Sequence, residues 1–279
     1  MNAALAVTKV FAGLAFHSQA IMADGLHTAT DLFTDIAVLA GLRASSKPAD
    51  LDHHYGHRRI TTLVGLIIGA SLLLASAIIV MEAVKSFHAL AIEKNLPPIQ
   101  AGLPMWLAIV TIPVKEMLFR VTRVVGRRTG DVSLIANAWH HRSDAVTSVG
   151  ASLGLGAVLI GGEQWRFMDP LAATVLAAWL AGVAVNIIRE NAGELIDRAP
   201  ESHVLDSIEQ VVRNTEGVKE VHAFRARRIG GKIAMDINVM VEPGLTVRQG
   251  HDIASDVQKK VQESIEDVLE VLVHIEPAY

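Results

Sequence analysis

The chain has 279 residues, of which 51% are hydrophobic and only 19% charged, with a mean hydropathy of +0.36. Soluble chains carry about 25% charge, so these figures argue against a soluble enzyme built around one core. Cysteine is absent, which excludes disulfide scaffolds, thiolate zinc sites and iron–sulfur clusters, whereas twelve histidines leave a His/carboxylate metal site open.

Crossing a bilayer takes about 20 mostly apolar residues. Six segments qualify, at approximately 2–20, 24–44, 60–87, 103–125, 131–160 and 169–190. No cleavable signal peptide is evident, because MNAALAVTKVF lacks a charged n-region and a small-residue cleavage site. Arg43, Lys47, Arg58 and Arg59 lie at or between the facing ends of spans two and three, Arg120, Arg123, Arg127 and Arg128 at the end of span four and before span five, and Arg189 and Arg198 at the end of span six and beyond it. The opposite side holds only Lys85, Lys94 and Arg166. Basic loops stay inside, so both termini are expected in the cytoplasm, with a prokaryotic inner membrane as the expected location. In span three, Gly65 and Gly69 form a GxxxG, a pattern that permits close helix approach and is expected to serve the dimer.

The tail differs. Residues 200–279 hold 14 acids against 9 Lys/Arg, while residues 1–199 hold 15 against 16. An acidic soluble domain, 200–279, therefore follows a nearly neutral membrane domain, 1–199, and a basic nucleic-acid footprint is missing. Residues 207–213 read as helix and 218–228 as strand. Gly230-Gly231 signals a hairpin into the alternating KIAMDINVMV, residues 246–265 form an amphipathic helix, and 269–275 make a last strand. The order αββαβ predicts a small ferredoxin-like α+β domain.

The chemistry sits inside the spans. Asp24, His27, Asp31 and Asp35 are spaced 3, 4 and 4, which places them on one helical stripe about 80° wide. Asn137, His140, Asp144 and Ser148 repeat the spacing in span five. Each helix thus offers a His and an Asp one turn apart, and two such helices supply the N2O2 donor set that suits zinc-class ions. A buried ionisable residue costs about 2.5–3.5 kcal/mol on insertion scales, so four without a function would be a heavy burden. His141 lies about 100° around from His140 and is not counted as a ligand, and Arg142 is expected to pair with Glu116 or reach the interface.

SQAIMADGLHTATD, PADLDHHYGHRR, NAWHHRSDAVTS and the tail's EVHAFRARRIGG, VRQGHDIASD and VHIEP together resemble the cation diffusion facilitators over nearly the whole chain. The resemblance implies a homodimeric metal/proton antiporter with six transmembrane helices and a cytoplasmic ferredoxin-like domain. Divalent metal is its substrate, no cofactor is needed, and the transport site is His27, Asp31, His140 and Asp144. It further implies an ion at Asp50, His53 and His57 in the loop, where the residues alone suggest solvated surface. A regulatory or structural ion is implied at His222, His251 and His274, to which Asp236 and Glu276 add carboxylates. Asn238 falls where some relatives have another histidine. Arg59 and Asp197 are implied as an inter-helix salt bridge that ties the spans together. Relatives also carry a cytoplasmic arm ahead of the first helix, whereas Met1 here almost opens it.

Two imidazoles favour zinc, with Fe, Co, Cd, Ni and Mn as alternatives. A membrane hydrolase is disfavoured because H-E-x-x-H and G-x-S-x-G are absent. A non-transporting metal sensor would not need a complete intramembrane tetrad.

Overall fold

In a computed structural model, residues 7, 35–92, 102–165 and 167–279 are described. The chain separates into two compact units, Met1–Asn191 and Ala192–Tyr279.

The described part of the first unit is helical. Helix α1 covers residues 35–45 and stops where the Ser45 and Ser46 hydroxyls both donate to the Leu42 carbonyl, at 3.0 and 2.7 Å, just ahead of Pro48. Helix α2 runs Arg59–Ile92, 34 residues or about 51 Å at 1.5 Å per residue, well beyond a 30 Å hydrocarbon core. Helix α3 spans Gly102–Thr129 with Pro113 inside it, and Arg127 and Arg128 in its last turn complement the helix dipole. Gly130, at φ 65°, turns the chain. Asp131 then caps helix α4, Val132–Gly161, its Oδ1 accepting from the Ser133 and Leu134 amides at 2.9 and 3.1 Å. Helix α5 is Met168–Leu195.

These helices bury Val38, Val64, Ile68, Leu72, Ala136, Leu180, Ala184 and Ile187 against one another. Large apolar side chains such as Leu39, Ile67, Leu74, Leu153 and Val175 point outward. Polar groups inside and apolar groups outside is the arrangement a lipid solvent selects. The GxxxG pair is filled within this chain rather than left for a partner. A Cβ on Gly65 would collide with the Asn191 side chain, and one on Gly69 would lie 2.8 Å from Ile188 Cγ1. Both glycines therefore seat α2 against α5.

The second unit contains helix α6 (Ser202–Arg213), strands β1 (Glu220–Ile229) and β2 (Lys232–Val241), helix α7 (Val247–Ser264) and strand β3 (Val268–Pro277). The αββαβ order is the expected one. Helix α6 begins five residues before the expected start, because Val204 and Ile208 continue its apolar stripe towards Glu201. Strand β2 is central, antiparallel to β1 and parallel to β3. Gly230 and Gly231 adopt φ 59° and 79°, the two positive values a two-residue hairpin turn of this hand requires. Thr246 and Gln249 form a reciprocal capping box at the start of α7. Ile208, Val212, Ile237, Val239, Val257 and Val261 form a core between the helices and one face of the sheet. Asp236, Asn238, His274 and Glu276 alternate with the inward residues and so occupy the other face.

Candidate metal centres

Helix α4 carries the half of the intramembrane constellation that is described; His27 and Asp31 lie outside the described residues. Among the α4 residues, Asn137, His140, His141 and Asp144 are all buried. His140 Nε2 stands 3.9 Å from Asp144 Oδ2, as an i, i+4 pair on one face should.

A residue that the sequence pattern did not assign completes this half-site. Lys115, 2% exposed on α3, donates from Nζ to Asp144 Oδ2 at 2.7 Å. The only sequence signal was a Lys115-Glu116 pair near the end of an otherwise mostly apolar span. One level away, the Asn137 amide Nδ2 donates to Asp35 Oδ1 at 3.0 Å and lies 3.4 Å from His141 Nε2. His141 Nε2 is in turn 3.4 Å from Asp35 Oδ1. His141 therefore belongs to an inter-helix polar cluster, not merely to the back of the stripe. Arg142 does not pair with Glu116. Its guanidinium stacks 4.5 Å over the Phe119 ring, and Glu116 accepts from Arg120 at 2.8 Å.

The loop between α1 and α2 brings Asp50, His53 and His57 together, with one donor atom from each within 4.8 Å of the others. Local backbone geometry does this. Gly56, at φ 75°, donates its amide to the His53 carbonyl at 2.9 Å, and Asp50 Oδ1 accepts the His53 amide at 2.8 Å. That backbone hydrogen bond from His53 holds the Asp50 carboxyl below the usual carboxylate range. The His53 and His57 rings lie 4.1 Å apart, and His57 Nε2 is 3.6 Å from Asp50 Oδ2. A carboxylate and two imidazoles so placed can hold a zinc-class ion with water as a fourth ligand.

On the outer face of the sheet, Glu276 gathers three groups. His222 Nδ1 lies 2.8 Å from Oε2, the Asn238 amide donates to Oε1 at 2.8 Å, and His274 Nε2 is 3.7 Å from Oε1. The His222 hydrogen bond lowers the Glu276 pKa. The register supports this grouping, since Asn238 is paired with His274 and a β-bulge between Val221 and Ala223 turns His222. Asp236 is held by Arg225 at 3.1 Å, and His251 is exposed on α7. Arg59 opens α2 in the first unit. In the second unit, Asp197, at φ 58°, has its carboxylate 3.5 Å from Arg227.

Comparison with known proteins covers both units. Residues 1–196 match the model described as the cation efflux transmembrane domain, and residues 200–278 match the cation efflux protein cytoplasmic domain. The chain is 30% identical to the manganese efflux system protein MneP of Bacillus subtilis, over 100% of this chain and 93% of that protein. It is 32% identical to metal tolerance protein C1 of Arabidopsis thaliana, over 99% of this chain and 60% of that one. A solved MamM-CTD structure, 30% identical, covers 28% of this chain and 96% of its own, with a TM-score of 0.27.

Proposed function

Because the chain belongs to the cation diffusion facilitator family of membrane metal transporters, we propose that it exports Zn2+ from the cytoplasm in exchange for protons. As a member of that family it is a transporter rather than an enzyme, and the divalent metal ion is its substrate, with no cofactor required. Residues 1–199 form the membrane domain, in a prokaryotic inner membrane, and residues 200–279 the cytoplasmic one, with both termini on the cytoplasmic side. Two copies associate through both domains.

The observation that carries the reading is the buried His140–Asp144 pair on one face of α4. It matches in spacing the His27 and Asp31 of the preceding motif. Two imidazoles select zinc over the manganese named for one relative, because oxygen-rich sites suit Mn2+. A free imidazole titrates near about pH 6.5, and a ligating nitrogen must be unprotonated, so metal and protons compete for the same lone pairs. Exchange then needs only one site, two competing occupants and two accessible states. The Asp50, His53 and His57 loop and the His222, His251 and His274 set, with Asp236 and Glu276, hold ions that stabilise or regulate the folded state.

The test is Zn2+ flux into sealed proteoliposomes with an internal pH dye. Wild-type protein should move Zn2+ and counter-move protons, and Asp144→Ala should abolish both while leaving the dimer intact. Wild-type flux in that variant would refute the site. Flux that ignores an imposed pH gradient would refute proton exchange.

A further inference from the structure

We infer a second cation subsite, formed by Asp35, Asn137 and His141, one helical turn from the transport site on the side of α4 where the helix begins. The inference rests on the reading that His140 and Asp144 are part of the transport site.

The geometry is that of a coordination face. Asp35 Oδ1, the Asn137 amide and His141 Nε2 form a triangle with sides of 3.0, 3.4 and 3.4 Å. Ligands bound at about 2.0–2.1 Å around a tetrahedral ion lie about 3.3–3.4 Å apart. Two of the three sides match that spacing and the third, from the Asn137 Nδ2 to Asp35, is about 0.3–0.4 Å shorter, so three groups on two helices already stand close to the separations one small divalent ion demands.

The polar accounting supports it. His141 is 2% exposed and Asn137 5%. Both keep a buried polar atom, His141 Nδ1 and Asn137 Oδ1, without a hydrogen-bond partner among the described residues. Buried polar groups are nearly always satisfied, and Asn137 Oδ1 is the one of these two atoms that an ion would pair, since His141 Nδ1 lies outside the triangle. A half-turn of the Asn137 amide exchanges Nδ2 for Oδ1 within the triangle. The three donors then become a carboxylate oxygen, a carbonyl oxygen and an imidazole nitrogen. In the structure the Asn137 Nδ2 faces both Asp35 Oδ1 and His141 Nε2.

Position gives the subsite a role. Asn137 precedes His140 by three residues, and helical side chains lean towards the N-terminus. The subsite therefore lies nearer the Gly130–Asp131 turn and the Asp50 loop, the side the basic residues assign to the cytoplasm. An ion entering from the cytoplasm meets it before Asp144, where Lys115 must first be displaced. Two divalent ions about one turn apart are compatible, since two-metal sites operate at about 3.5–4 Å. The subsite is a relay on the entry path.

The test counts Zn2+ bound per chain on the purified full-length protein by equilibrium dialysis at saturating Zn2+. His141→Ala and Asp35→Asn should each lose one ion, Asp144→Ala should lose a different one, and His141→Ala with Asp144→Ala should lose two. Asn137→Asp, which preserves size and adds a carboxylate, should tighten one site by roughly tenfold, because affinity follows ligand charge. A full ion count in His141→Ala, or a double variant that loses only one ion, would overturn the subsite. So would an Asn137→Asp protein with unchanged affinity. Loss of an ion in His141→Ala but none in Asp144→Ala would sustain the subsite and overturn the transport-site reading.

Discussion

Replacing Lys115 by Met should tighten Zn2+ binding while slowing transport. The lysine is 2% exposed, and its ammonium sits 2.7 Å from Asp144 Oδ2. Asp144 cannot ligate an ion through that oxygen while the hydrogen bond stands. A hydrogen bond to a charged group contributes about 1.5–3 kcal/mol net, and an ion has to offset that before it binds. Methionine keeps the length and most of the volume of the side chain but removes both the donor and the charge. Each 1.4 kcal/mol is tenfold in affinity, so the dissociation constant should fall by about 10–100-fold. His140 Nε2, 3.9 Å from the same oxygen, limits the gain to the lower part of that range. Flux should fall, because an ion held more tightly leaves more slowly and the empty site returns without its ammonium. Titration against a competing chelator dye measures the first effect and proteoliposome flux the second. Lys115→Arg, which keeps the charge, should stay within a few-fold of wild type. A Met variant that binds Zn2+ no more tightly than wild type would refute the reasoning, and Lys115 would then be only a structural partner of α4.

Gly69→Ala places a methyl 2.8 Å from Ile188 Cγ1 and 3.3 Å from the Ile188 backbone nitrogen. Overpacking of this kind costs about 1–3 kcal/mol, so the detergent-solubilised chain should melt at a lower temperature, and an unchanged melt would show that α2 and α5 are not fixed there. His57→Ala should remove one Zn2+ of the loop cluster, measured by dialysis, without altering flux at saturating Zn2+; retention of that ion would separate the loop from metal binding. Glu201 is held below the usual carboxylate range by its hydrogen bond from Arg228. Its folded pKa is depressed, so its contribution is present above the unfolded value of about 4.3 and is lost as pH falls through the folded value. As an exposed pair it is worth about 0.2–1 kcal/mol. Glu201→Gln should therefore speed hydrogen exchange in β1 at pH 7 and match wild type in strong acid, whereas a difference that persists in acid would contradict the assignment.

The membrane character, the αββαβ tail and the His-x-x-x-Asp stripe were all legible in the sequence because each is a local property. Hydropathy sums along the chain, strands alternate with period two, and a 3.6-residue turn maps the spacing of His140 and Asp144 onto one face without reference to any neighbour. Gly230-Gly231 announced its hairpin for the same reason, since only positive φ at both positions closes that turn. Tertiary structure decided which faces meet. Lys115 reaches Asp144 across 29 residues, Asn137 reaches Asp35 across 102, and Gly65 meets Asn191 on another helix. Arg142 chose the Phe119 ring over Glu116 on the same grounds. Periodicity says which residues share a stripe, but the rotation of one helix against the next depends on the packing of Val64, Ile68, Leu180 and Ala184, which no local pattern encodes.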